Sequence, residues 1–108
     1  MEGYKRLTDP ENALSPWPAW RVVRKDGMIF AVGHYRFASD LMAVAFREGL
    51  KLWESIWLHD LHTVTIKDGT LHMSTVTHDE DNTLTDRDFL LINSIDNMYA
   101  LVPQHSKG

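Results

Sequence analysis

Apolar and polar positions alternate from Trp20 to Lys25, with Trp20, Val22 and Arg24 on one face and Arg21 and Val23 on the other. Lys25-Asp26-Gly27 interrupts this run, and a second run follows from Met28 to His34. Asp-Gly between two such runs predicts an antiparallel hairpin. Met28 to Gly33 is apolar on both faces, as expected of a strand paired near the middle of a sheet and covered on one side. Between Tyr35 and Leu58 the period becomes helical. Phe37, Leu41, Val44 and Ala45 form one stripe, and Met42, Phe46, Leu50, Trp53 and Trp57 extend it round the side, with Ser39-Asp40 marking a start. That apolar sector is wider than one sheet contact needs, so the pattern predicts packing on a second chain.

A second hairpin is predicted where Val64 and Ile66 alternate with Thr63, Thr65 and Lys67 and Asp68-Gly69 turns into Leu71 to His78. The last helix has the clearest start, with Thr85 as N-cap, Asp88 in the capping-box place and Leu84 set to staple against Phe89. Its core face is Phe89, Ile92, Ile95 and Tyr99, with Leu91, Met98 and Val102, until Pro103 stops the pattern. Before Trp20, three prolines (Pro10, Pro16 and Pro18) argue against long elements, although Asp9-Pro10-Glu11 suits one capped helical turn. The expected organisation is an irregular lead-in over 1–19, one domain over 20–103 and a tail over 104–108. The order α-β-β-α-β-β-α predicts an α+β fold, a four-stranded antiparallel sheet with helices on one face.

Length and charge narrow this picture. A chain of 108 residues supports one core. The absence of cysteine excludes a disulfide framework, a thiolate zinc site and a cysteine nucleophile. A net charge of −4 has the wrong sign for a duplex-binding module, so no nucleic-acid partner is expected. No apolar run approaches membrane-spanning length, and the start is charged; a cytoplasmic protein with no membrane partner is the expectation. The acidic run Asp79-Glu80-Asp81-Asn82 reads as a solvated connection, since it lacks the glycine and downstream glutamate of a calcium loop.

Several motifs recur in a known order: Thr77-His78, a short loop, Leu84-Thr85-Asp86-Arg87-Asp88, then Ile92 to Ile95-Asp96. Upstream stand Trp20, the passage from Ile29 to Tyr35-Arg36-Phe37, and Val44-Ala45. Together, over roughly Trp20 to Met98, these resemble the pterin-4a-carbinolamine dehydratase family. The resemblance implies dimers joined by strand edges and tetramers joined through the long helix, so a homodimer or homotetramer. It also implies a Glu and a His-His-Pro motif at the end of the long helix, whose imidazoles act on the 4a-hydroxyl of the pterin. The stretch compared with that motif here is Leu52-Trp53-Glu54-Ser55-Ile56-Trp57, which has neither histidines nor proline.

Dehydration by general acid–base catalysis needs groups that titrate near neutrality within reach of the leaving oxygen. Of the family positions only His78 and Asp88 remain, and Asp88 already has a capping role. His59 and His62 offer replacement imidazoles that would have to converge with His78. Two histidines alone do not define a metal site, and no metal or cofactor is implied. Members without the histidine motif include assembly factors for Rubisco in bacteria with α-carboxysomes, and this sequence is similar in kind. On that reading the chain is a non-catalytic binding or assembly protein whose partner is a protein, Rubisco subunits first. Trp53, Glu54 and Trp57 with Asp79, Glu80 and Asp81 are the expected binding surface. The alternatives are a dehydratase with a rearranged histidine site and, with least support, a coactivator-like dimerisation partner.

Overall fold

Both Asp-Gly turns form as the alternation predicts. In the computed structural model, which describes residues 5–78 and 82–103, Asp26 and Gly27 have φ of 54° and 77°, and Asp68 and Gly69 have φ of 53° and 76°. Two consecutive left-handed residues match the right-handed twist of the flanking strands. The first turn joins β1 (Trp20–Lys25) to β2 (Met28–Arg36), with Lys25 opposite Met28. The second joins β3 (Thr63–Lys67) to β4 (Thr70–Thr75), with Lys67 opposite Thr70. β2 also pairs antiparallel with β4, so the sheet runs β1-β2-β4-β3 and the doubly apolar run lies on a central strand.

Three helices complete the expected α-β-β-α-β-β-α order: α1 (Pro10–Ala13), α2 (Asp40–Trp57) and α3 (Asp86–Ala100). They pack on one face of the sheet, against Ala31, Tyr35, Leu71 and Met73. Gly33, opposite Trp20, leaves room for the indole, since a Cβ there would sit 2.5 Å from its ring. Trp20 donates Nε1–H to the Tyr35 hydroxyl at 2.8 Å, and that hydroxyl donates to Asp96 at 2.8 Å. Burial, with the hydrogen bond to Asp96 adding to it, pushes the Tyr35 phenol far above its ordinary value, so it remains a donor.

The long helix begins at the Ser39-Asp40 start signal, five residues after the helical period sets in at Tyr35. β2 continues through Arg36, which pairs with Thr70, and Phe37 lies in the connection with its ring buried beside Phe46. Ser39 caps α2 by accepting from the Met42 N–H at 3.2 Å, and Asp40 accepts from Gly69 N–H at 2.6 Å, tying the helix start to the second hairpin. Ala43, Phe46, Leu50 and Glu54 form its buried face. At its end Leu58 takes a left-handed conformation, φ 53°, a place where glycine is usual. α3 has the full capping box between Thr85 and Asp88, and Leu91, Ile92 and Ile95 are buried.

The lead-in is part of the core. Asp9 caps α1, Leu14 and Trp17 are buried, and Trp17 meets Phe89 edge-on with centroids 5.0 Å apart. Leu7 N–H donates to the Leu84 carbonyl at 3.0 Å, which holds the lead-in across the start of α3. The acidic residues Asp79, Glu80 and Asp81 and the tail 104–108 lie outside the described residues. Among the described residues no helix is long and apolar enough to cross a membrane.

Candidate functional site

The polar residues singled out from the sequence gather where α2, the loop after it, β4 and the start of α3 meet. Asp88 is at their centre and has no solvent exposure. Its Oδ2 accepts from the Thr85 N–H at 3.0 Å and the Thr77 hydroxyl at 2.7 Å. Its Oδ1 lies 2.6 Å from His59 Nε2 and accepts from the Thr75 hydroxyl. Burial pushes the Asp88 carboxyl up, but the hydrogen bond and charge of His59, with the Thr75 and Thr77 hydroxyls, outweigh it and hold the carboxyl below its usual value. The capping role read from the sequence is therefore only half of what Asp88 does. Thr75 and Thr77 had a signal too: two positions apart in the run Leu71 to His78 read as one strand, they were set to share a face, although β4 ends at Thr75 and Thr77 follows in a bridge to Thr83.

Glu54 faces inward. At 6% exposure it accepts from Arg47 at 2.7 Å through Oε1 and from the Leu61 N–H at 2.7 Å through Oε2, while its carbonyl accepts from the His59 N–H at 2.9 Å. It fixes the turn out of α2, and its carboxylate is turned inward rather than toward solvent. Arg47 and Glu54 are seven residues apart, two helical turns on one face, and that spacing was the available signal. Trp57 is half-buried and donates Nε1–H to Ser94 Oγ at 2.9 Å; its carbonyl accepts from the Arg87 guanidinium. Trp53 is half-buried against the core.

The structure divides the three histidines proposed as replacement imidazoles. His59 is held by Asp88 and Thr75, its side chain 9% exposed. His62 and His78 are exposed and face each other, with Nδ1 and Nε2 3.3 Å apart, and His78 Nδ1 lies 2.7 Å from Asn82 Oδ1. No hydrogen bond joins His59 to either ring, and among the described residues no group of three His, Cys, Asp or Glu side chains is placed to hold a metal ion. The stretch Leu52–Trp57, compared above with the His-His-Pro motif, lies inside α2; the residues that follow the helix are Leu58 to His62. The helix reaches Trp57 because Glu54, Trp57 and Arg87 anchor its last turn.

A second histidine pair, invisible to local sequence reading, stands on the open face of the sheet. His34 on β2 is directly opposite His72 on β4, with Nδ1 atoms 2.7 Å apart. On the outer side of α2, Leu41, Val44, Leu52 and Ile56 are exposed, whereas Met42, Phe46, Leu50, Trp53 and Trp57, the stripe expected to extend round the side toward a second chain, pack inward on the core.

No protein-family model and no curated protein matches the sequence. Among solved structures, the crystal structure of a transcriptional coactivator/pterin dehydratase from Brucella melitensis matches over 88% of this chain and 99% of that one, with a TM-score of 0.75 at 22% sequence identity. The chain has the pterin dehydratase-like fold. The likeness at this identity is one of fold, so function rests on the residues occupying the site.

Proposed function

We propose that this chain is a non-catalytic protein of the pterin dehydratase-like fold that binds the subunits of another protein during assembly. Rubisco of the α-carboxysome is the partner to which the sequence resemblance points. The observation that carries the reading is the separation of the imidazoles: His59 is committed to Asp88 with little exposure, and His62 and His78 stand together without it. A dehydration site needs an acid and a base that reach one hydroxyl. The exposed stripe of Leu41, Val44, Leu52 and Ile56 supports self-association through α2, which would present several copies of one surface to a multi-subunit partner. Binding would cover apolar surface on unassembled subunits, and no cofactor takes part.

The exposed contact between His62, in the loop after the long helix, and His78, beyond the end of β4, favours a second reading as a dehydratase with a rearranged site. Two assays separate the readings. Purified protein is given 4a-hydroxytetrahydropterin beside an authentic His-His-Pro enzyme, and Rubisco is co-expressed with and without the chain. The proposal expects background turnover and a higher yield of assembled Rubisco. Turnover abolished by His78→Ala would overturn it in favour of the enzyme.

A further inference from the structure

The face of the sheet turned away from the helices carries a charge pattern opposite to that of the whole chain. By register, Arg21, Val32, Ser74 and Thr63 form one row across the sheet, and His34, His72 and Thr65 form the next. On this face β1 adds Val23 and Lys25, β2 adds Met28, Phe30 and Arg36, and β3 ends with Lys67. Its strand positions hold four exposed cations, Arg21, Lys25, Arg36 and Lys67, and no carboxylate, in a chain of net charge −4. None of the four is in an ion pair among the described residues. Between them lies an apolar centre of Val23, Met28, Phe30 and Val32, half-buried although no helix among the described residues packs on this face. An open cavity of about 310 Å³ runs over this centre toward His62 and His72, bordered by Asp26 of the hairpin turn.

We infer that this open face is a docking surface for a segment of a partner protein that has an apolar centre flanked by carboxylates. The inference deepens the protein-binding reading above and rests on it for the class of partner. Lys25 stands opposite Met28 at one end of β2, and Arg36 and Lys67 flank Thr70 at the other. Eight residue steps from Met28 to Arg36 place these ends about 27 Å apart, the length of an α-helix of about 18 residues. An apolar centre ringed by charge is the anatomy of a protein–protein interface. A second copy of the chain does not fit: a two-fold contact sets the same patch against itself and would oppose the cations to one another. Nucleic acid fits less well, because single strands favour several aromatic platforms and this face has only Phe30 among mostly aliphatic neighbours.

The test titrates the full chain with a fluorescein-labelled peptide of about 18 residues, with Leu and Phe at its centre and Asp and Glu at both ends, a length set by the helix rise. Anisotropy gives the affinity, and amide shifts of the isotope-labelled protein give the site. The expectation is saturable binding with shifts at Arg21, Phe30, Val32 and Thr65. Arg21→Glu and Lys67→Glu should each weaken binding about tenfold, whereas Lys51→Glu, the same charge change on α2, should leave it unchanged. No binding up to millimolar protein, shifts confined to the α2 side, or tighter binding of a 20-base-pair DNA duplex would overturn the inference. If the peptide fails while Rubisco yield still depends on the chain, the docking face is wrong and the assembly reading stands.

Discussion

His59 Nε2 lies 2.6 Å from Oδ1 of Asp88, a carboxylate with no exposure that also caps α3. One side chain thus joins the loop after α2 to β4 and to the first turn of α3. Asp88→Ala leaves the Thr75 and Thr77 hydroxyls and the Thr85 N–H without their acceptor and should cost about 3–5 kcal/mol. Asp88→Asn keeps an acceptor for the cap and should cost less. Urea unfolding of both variants measures the difference. The carboxyl lies below its usual value when folded, so its contribution is present above the unfolded pKa and is lost as pH falls through the folded one.

Glu54 separates a structural role from a partner-binding one. Its carboxylate accepts from Arg47 and from Leu61 N–H with 6% exposure, so Glu54→Ala should lower stability by about 2–4 kcal/mol and speed amide exchange at Leu61. Glu54→Gln retains one acceptor and should cost less. Partner binding that falls while the unfolding midpoint stays fixed would mean that Glu54 acts at the surface after all.

Much of this fold was legible because its signals are local. The two Asp-Gly turns, the capping box of Thr85 and Asp88, and the cap of Asp9 on Pro10 each need only a few neighbouring residues, and each formed. The helical period of α2 was legible but its sides were not: the stripe from Met42 through Phe46 and Leu50 to Trp57 turns inward, and Leu41 and Val44 stay exposed with Leu52 and Ile56. Three of the residues that carried the family resemblance proved to be spatial neighbours: Trp20, Tyr35 and Asp96 form one hydrogen-bond chain.

The candidate site was less legible because its contacts are long-range. Nothing near Trp57 announces Ser94, and nothing near His34 announces a histidine 38 residues away. Glu54 looked like an exposed acid beside two tryptophans because the loop that needs its carboxylate returns to it only after the helix ends.

The exposed stripe of α2 gives a direct test of assembly. Leu52 and Ile56 are 63% and 50% exposed, so replacing both by Glu removes little intrachain packing and should change the stability of the isolated chain by no more than about 0.5 kcal/mol per site. The same change places charges in any helix-to-helix contact between copies. Light scattering after size exclusion should show the wild-type chain above monomer mass and the double variant reduced to a smaller species. Equal masses would remove α2 from the assembly.

The open-face histidines predict a pH dependence whose sign follows from their geometry. With the Nδ1 atoms of His34 and His72 2.7 Å apart, one ring donates Nδ1–H to the lone pair of the other, which requires that the acceptor be neutral. Burial, then the neighbouring His72, then Arg21, hold His34 below the ordinary value of 6.5. On acidification the unfolded chain therefore takes up this proton before the folded one does. Stability from the pair is complete above about 6.5, the unfolded value, and is lost as pH falls from there through the lower folded value. Urea midpoints at pH 7.5, 6.5 and 5.5 should fall more steeply for the wild type than for His34→Gln, which has no proton to gain. The comparison isolates the pair from the other titrating groups, because both proteins share them. Parallel curves would show that the two rings do not stabilise the sheet, and convergence at pH 5.5 would show that they do.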